Sequence, residues 1–110
     1  MISKQQNAVS SKEDNSVFLS FKGNPKEIST GISIINGRYP RTGKSIDKNV
    51  TASWYCLEGS AVVCIGSETN ILSQGDVCYV PKNTPFFIHG KIKLLVNSTP
   101  EWYSSQHKDI

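Results

Sequence analysis

Few side chains in this sequence are of the kinds that carry chemistry alone: three cysteines, two histidines and four tyrosines among 110 residues. Cys56, Cys64 and Cys78 each sit inside an apolar run, with no CxxC pair and no close histidine of the kind a zinc site requires. They read as buried, reduced thiols. A nucleophilic or redox-sensing thiol needs an activating base or cation beside it, and a disulfide needs an oxidising compartment. Tyr39, Tyr55 and Tyr79 are available as an acid or base, but no pair of side chains is spaced to activate a nucleophile, and a lone tyrosine is most often structural. His107 falls in a polar C-terminal stretch, where a solvated imidazole is expected.

The cations are unevenly placed. Arg38, Arg41, Lys44 and Lys48 face a single acid, Asp47, within one short stretch, and this segment supplies the whole formal charge of +3. A guanidinium is suited to bidentate recognition of carboxylate or phosphate, so Arg38 and Arg41, with Tyr39 between them, are candidate contacts to an anionic small molecule. The plainer alternative is a solvated loop whose charge keeps the protein soluble. The remaining charges cancel, a balance that argues against nucleic-acid binding, which usually shows a basic face and a higher isoelectric point. Met1 to Asn15 lacks the continuous apolar stretch of a signal peptide, and no segment approaches the roughly 20 apolar residues of a membrane span. The expected compartment is the cytoplasm.

The elements that must position these residues are strands. Leu, Ile, Val and Phe make up about a quarter of the chain, enough for one small core and one domain. Residues 1–15 are rich in Ser, Gln, Asn and Lys, which bury too little surface to offset their ordering entropy, so a mobile tail is expected there and a folded domain over 16–110. From Ser16 the chain reads as apolar and β-branched runs punctuated by Gly, Asn and Pro: SVFLSF from Ser16, ISTGISII from Ile28, VTASWYCL from Val50, AVVCI from Ala61, then Thr69–Leu72, VCYV from Val77, Phe86–His89 and IKLLV from Ile92. About eight short strands and no sustained helical period predict an all-β sandwich or closed barrel.

Two stretches resemble motifs of a known family. Tyr55-Cys56-Leu57-Glu58-Gly59-Ser60-Ala61 is similar to the end of the first cupin motif, where a strand runs into a Leu-Glu-Gly turn. Gly75-Asp76-Val77-Cys78-Tyr79-Val80-Pro81-Lys82-Asn83-Thr84-Pro85 resembles the second, a Gly-Asp turn, a strand and a proline-bearing turn. The residues support the same picture: Gly59 and Gly75 permit the positive φ of tight hairpin ends, Asp76 can bond nearby backbone N–H groups, and two prolines stiffen the last turn. The resemblance covers roughly residues 37–99 and implies a single cupin-type jelly-roll barrel, a double-stranded β-helix. Arg38-Tyr39-Pro40 and the segment Thr99 to His107 resemble a subgroup of small bacterial cupins, which lends fold rather than activity and implies a homodimer. Trp102 and Tyr103 are too apolar for a free tail and are expected to pack on the barrel or across a subunit boundary.

The resemblance also implies where a metal would sit. The first motif carries a His-x-His pair and then a Glu, and the second carries a His beyond the proline turn. In this sequence the pair falls within Ser45 to Lys48, the Glu on Ala52 and the last His on Phe86, so all four ligands are replaced. If Phe86 and Ile88 point into the barrel, strand alternation turns His89 outward. No metal and no cofactor is therefore expected. Ala52, Trp54 and Cys56 share one strand face, and Trp54 and Phe86 become candidate walls stacking on a planar or apolar ligand; alternatively they fill the barrel as core. Three readings follow. The first is a metal-independent barrel binding a small metabolite, with an anionic one the candidate, through Arg38, Tyr39, Arg41, Ala52, Trp54 and Phe86, as a sensor or accessory module. The second is a metal-free sugar or carboxylic-acid isomerase or lyase. The third is a degenerate barrel serving only for dimerisation or interaction. An open cavity beside Trp54 and Phe86 favours the first two, and a solid interior the third.

Overall fold

The computed structural model describes residues 1–110. Nine strands form: β1 (Val9–Glu13), β2 (Ser16–Ser20), β3 (Ser29–Tyr39), β4 (Ser45–Asp47), β5 (Thr51–Ile65), β6 (Glu68–Ser73), β7 (Val77–Val80), β8 (Phe86–Thr99) and β9 (His107–Asp109). The only helical pieces are two single 3₁₀ turns, Gln5–Asn7 and Ser104–Gln106. All pairings are antiparallel. The sheet curls around β8, which is flanked by β3 and β5 along nearly its whole length. Beyond β3 the order continues to β2 and β1; the far edge of β5 carries β7 and then β6. The architecture is an all-β curled barrel, as the strand pattern predicts.

Two expected breaks are absent. Glu58-Gly59 and Gly90-Lys91 separate strands in the sequence pattern, yet β5 and β8 run straight through them, side by side. A bulge lets them do so: Cys56 pairs with Leu94 and Glu58 with Lys93, leaving Leu57 unmatched. The extra residue flips the strand's alternation. Before the bulge Ala52, Trp54 and Cys56 are buried; after it Ala61 and Val63 are. Gly59 (φ +80°) and Gly90 (φ +156°) sit where the two strands press together, and a Cβ on Gly59 would run into the Lys91 carbonyl. Gly75 (φ +90°) does turn the chain as expected, with the Ser73 N–H donating to the Asp76 carboxylate at 3.1 Å.

The core follows from alternation. Ile35, Trp54, Val63, Leu72, Val80, Phe86, Ile88, Ile92 and Leu94 belong to one buried cluster, while the residues between them face outward. His89 is exposed, as its neighbours' inward turn requires. On the outer surface Val62 pairs with exposed Ile71, and Tyr55 with exposed Val77. Cys56 and Cys64 are buried free thiols, and Cys78 is partly buried.

Both chain ends join the sheet. The segment expected to be a mobile tail contains β1, which pairs with β2 from Val9↔Ser20 to Glu13↔Ser16. Every residue of β1 is exposed, so the ladder of backbone hydrogen bonds holds it rather than burial. At the other end β9 pairs with β4, Asp47↔His107. No helix is long and apolar enough to cross a membrane.

Candidate functional site

Inside the curl lies a cavity of about 170 Å³. Its apolar walls come from the inward faces of four strands: Phe18 of β2, Ile35 of β3, Ala52 and Trp54 of β5, and Phe86, Ile88, Leu94 and Val96 of β8. Trp54 and Phe86 meet edge to face, with ring centroids 5.1 Å apart, a favoured aromatic arrangement that fixes both rings. The interior is therefore neither solid core nor a wide channel. Its volume is close to the roughly 150 Å³ in which an apolar protein cavity accepts benzene, so the interior holds one six-membered ring, and a ligand with a second ring extends into the open mouth. Exposed Ser11 and Glu13 of β1, with Trp102, form the mouth.

One wall is polar and is assembled from three distant parts of the chain: Tyr39 at the end of β3, Asp47 at the end of β4 and His107 at the start of β9. Asp47 Oδ1 accepts from three donors, Gln106 Nε2 at 2.8 Å, His107 Nδ1 at 2.8 Å and Trp102 Nε1 at 3.1 Å. An ionised carboxylate can only accept, so the His107 proton facing it resides on Nδ1 and the second ring nitrogen is the free one. That Nε2 stands 3.4 Å from the Tyr39 hydroxyl and 3.4 Å from Asp109 Oδ1. Asp109 is in turn held by Ser45 Oγ at 2.6 Å. The neutral imidazole thus accepts from Tyr39, and the protonated one can donate to Asp109.

The electrostatics suit this division. The Asp47 hydrogen bond holds His107 above the ordinary imidazole range, against the opposing effect of burial. Burial, with the negative charges of Glu13, Asp109, Asp47 and Asp14 behind it, pushes the Tyr39 phenol far above its usual value, so it stays protonated. Tyr39 is a standing hydrogen-bond donor, and His107 is the group of this wall whose proton is held more tightly than in a free imidazole. Burial pushes the Cys78 thiol up to about 11, which leaves it a poor nucleophile.

The six residues singled out in the sequence separate into two sets. Tyr39, Ala52, Trp54 and Phe86 all line the cavity. Arg38 and Arg41 do not. Strand alternation that turns Tyr39 inward turns Arg38 outward, where its guanidinium lies 4.3 Å over the Phe87 ring and donates to the carbonyls of Pro40 at 2.7 Å and Gly43 at 2.8 Å. Arg41 is exposed and stands 3.8 Å from Asp14. Neither lysine nor arginine appears in the lining.

The reading of His107 as a solvated tail residue is corrected. The Asp47↔His107 register carries its side chain into the cavity wall. Trp102 packs on the barrel as expected, its ring centroid 5.8 Å from that of His107. The signal missed was the run from Gln106 to Asp109, in which Gln106, His107 and Asp109 find partners in Asp47 and Ser45 once β9 docks, while Lys108 stays exposed.

No match was found among protein-family models or curated proteins. Solved structures do match. Pac13, described as a nucleoside dehydratase, superposes with a TM-score of 0.90 at 11% identity, covering 100% of this chain and 90% of Pac13. The fold is a cupin-like β-barrel. The same protein from Streptomyces, solved with uridine after replacement of one tyrosine by phenylalanine, gives 0.90 at 11% identity, covering 100% and 89%. The Schizosaccharomyces pombe Cnp3 cupin domain gives 0.72 at 16%, covering 88% and 72%. KdgF from Halomonas gives 0.73 at 12%, covering 91% and 93%.

Within this cupin-like barrel the donor set does not fit the metal that cupin motifs imply. Ala52 and Phe86 offer no donor atom and sit in the apolar wall. Asp47 and His107 Nδ1 are engaged with each other, and no three His, Cys, Asp or Glu side chains are grouped to hold an ion. A first-row metal needs three or four converging N or O donors.

Proposed function

We propose that this chain binds a nucleoside-class molecule in its barrel and acts on it as a metal-independent lyase. The observation that carries this reading is the Asp47–His107–Tyr39 arrangement on the wall of an aromatic cavity. Trp54 and Phe86 suit a flat heterocycle by stacking, and Ser33 and Ser98 line the cavity with hydroxyls suited to sugar oxygens. The likeness to Pac13, a nucleoside dehydratase solved with uridine, supports the class of ligand and of reaction.

The chemistry is elimination of water. His107 Nε2 withdraws a proton from a carbon next to a carbonyl, the C–H electrons become the new C=C bond, and the β C–O bond breaks. The imidazolium, steadied by Asp47, returns the proton to the departing hydroxyl, so water leaves and His107 is restored. Tyr39 stays protonated and positions the reacting oxygen by hydrogen bond. No oxidant or reductant is consumed.

Calorimetry and thermal shift with uridine and other nucleosides test the binding. Mass spectrometry for loss of one water from nucleosides carrying a sugar carbonyl tests the reaction. His107→Gln is expected to lower turnover at least about 100-fold, the scale of general acid–base catalysis, while leaving affinity within a few-fold. The reading fails if no nucleoside binds or if turnover survives that substitution. Binding without turnover would instead make the barrel a binding module.

A further inference from the structure

We propose that the mouth of the barrel sorts ligands by the sign of their charge, with Glu13 as the determinant, so that neutral and cationic rings enter and anions are refused. The inference deepens the ligand assignment above and rests on the same cavity.

The charges facing the cavity are Glu13 and Asp47 against His107. With His107 neutral there are two negative charges; with His107 protonated one negative charge still remains. Asp109 adds a further carboxylate beside the imidazole. The nearest guanidiniums are engaged elsewhere, Arg41 by Asp14 and Arg38 by the Pro40 and Gly43 carbonyls. An anion entering this mouth therefore meets net repulsion, with no lysine or arginine in the lining to offset it.

The rest of the lining also points to such a ligand. Phe18, Tyr39, Trp54, Phe86 and Trp102 present five aromatic side chains to one small space, and aromatic faces attract cations. Ser16, Ser33 and Ser98 are more than nine-tenths buried and also line the cavity. No protein group hydrogen-bonds their hydroxyls, yet no buried polar atom is left sealed off without a partner. Those hydroxyls open onto the cavity and supply neutral hydrogen bonding to whatever fills it.

Glu13 is the residue to change, because Asp47 is committed to three donors whereas Glu13 stands exposed on the edge strand. Benzamidinium, benzamide and benzoate are nearly the same shape and carry charges of opposite sign or none; each presents one ring of a size the cavity holds. Calorimetry on the full chain is expected to rank them benzamidinium, benzamide, benzoate, with about tenfold or more between the first and last. Glu13→Gln should compress the ranking several-fold, Glu13→Lys should bring benzoate to or above benzamide, and added salt should weaken the discrimination in the wild type. Circular dichroism checks that both variants fold. Benzoate binding as tightly as benzamide, a ranking unmoved by either substitution, or failure of all three rings to bind would overturn the proposal. None of the probes is a nucleoside, so a failure of nucleoside binding leaves the charge ranking measurable by itself.

Discussion

Asp47 organises the site because one of its oxygens receives an indole, an amide and an imidazole together. Gln106, only 2% exposed, is fixed at its other end by the Asn49 N–H, so the carboxylate is held from behind by a residue that cannot itself titrate. The consequence can be read in the pH dependence of stability. His107 is held above its ordinary value of 6.5, chiefly by the Asp47 hydrogen bond. A raised folded-state value means that the protonated ring stabilises the fold; this contribution is complete below about 6.5 and is lost as pH rises through the folded-state value. The melting temperature is therefore expected to fall as pH climbs out of that window, and the fall should vanish in His107→Gln. A melting temperature with the same pH slope in the variant would place the linkage elsewhere.

At the scale of elements, the long pair β5 and β8 decides the shape. Eleven residues of β8, from Ile88 to Ser98, lie between β3 and β5, and the Leu57 bulge with Gly59 and Gly90 lets the pair bend without ending. Adding a side chain at Gly59 demands both a positive φ and the space occupied by the Lys91 carbonyl. Gly59→Ala is expected to destabilise by about 2 kcal/mol or more, beyond the ordinary cost of a side chain at positive φ, because backbone must move. Denaturant unfolding measures it. Gly75→Ala is the control: it keeps the strained φ but meets nothing within 4 Å, so its loss should be the smaller. The turn chemistry of Gly75-Asp76 and of Pro81 to Pro85 was legible because those residues act locally. The continuation of β5 past Glu58 was not, because whether a glycine ends a strand or bends it depends on whether a neighbour stays alongside.

For the whole molecule, the barrel and the site have different supports. No residue beyond Leu94 belongs to the buried cluster, and of the C-terminal part only Val96 packs against it. Yet Trp102 and His107 line the cavity. A chain ended at Thr99 is expected to keep its β-type circular dichroism and cooperative unfolding, at a lower melting temperature, while losing ring-ligand binding and any proton-transfer activity. Calorimetry beside the spectra checks this, and loss of both fold and binding would show the C-terminal segment to be part of the core.

The sequence by itself determined that the chain is all-β and built around an apolar interior, because alternation and turn residues act over a few positions. Strand alternation put Ala52 and Trp54 on one face, and both line the cavity; Tyr39, expected in a polar connection, lines it as well because β3 extends that far. Only the tertiary structure decided which polar groups join them. Asp47 and His107 are 60 residues apart, and their meeting depends on the register of two three-residue strands too short to leave a periodic signal. The arginines leave the cavity for a different reason: one step along β3 separates Tyr39, which faces the cavity, from Arg38, which does not, and Arg41 lies beyond the strand beside Asp14. Charge in a segment is a property of sequence, whereas the face it occupies is a property of the folded sheet.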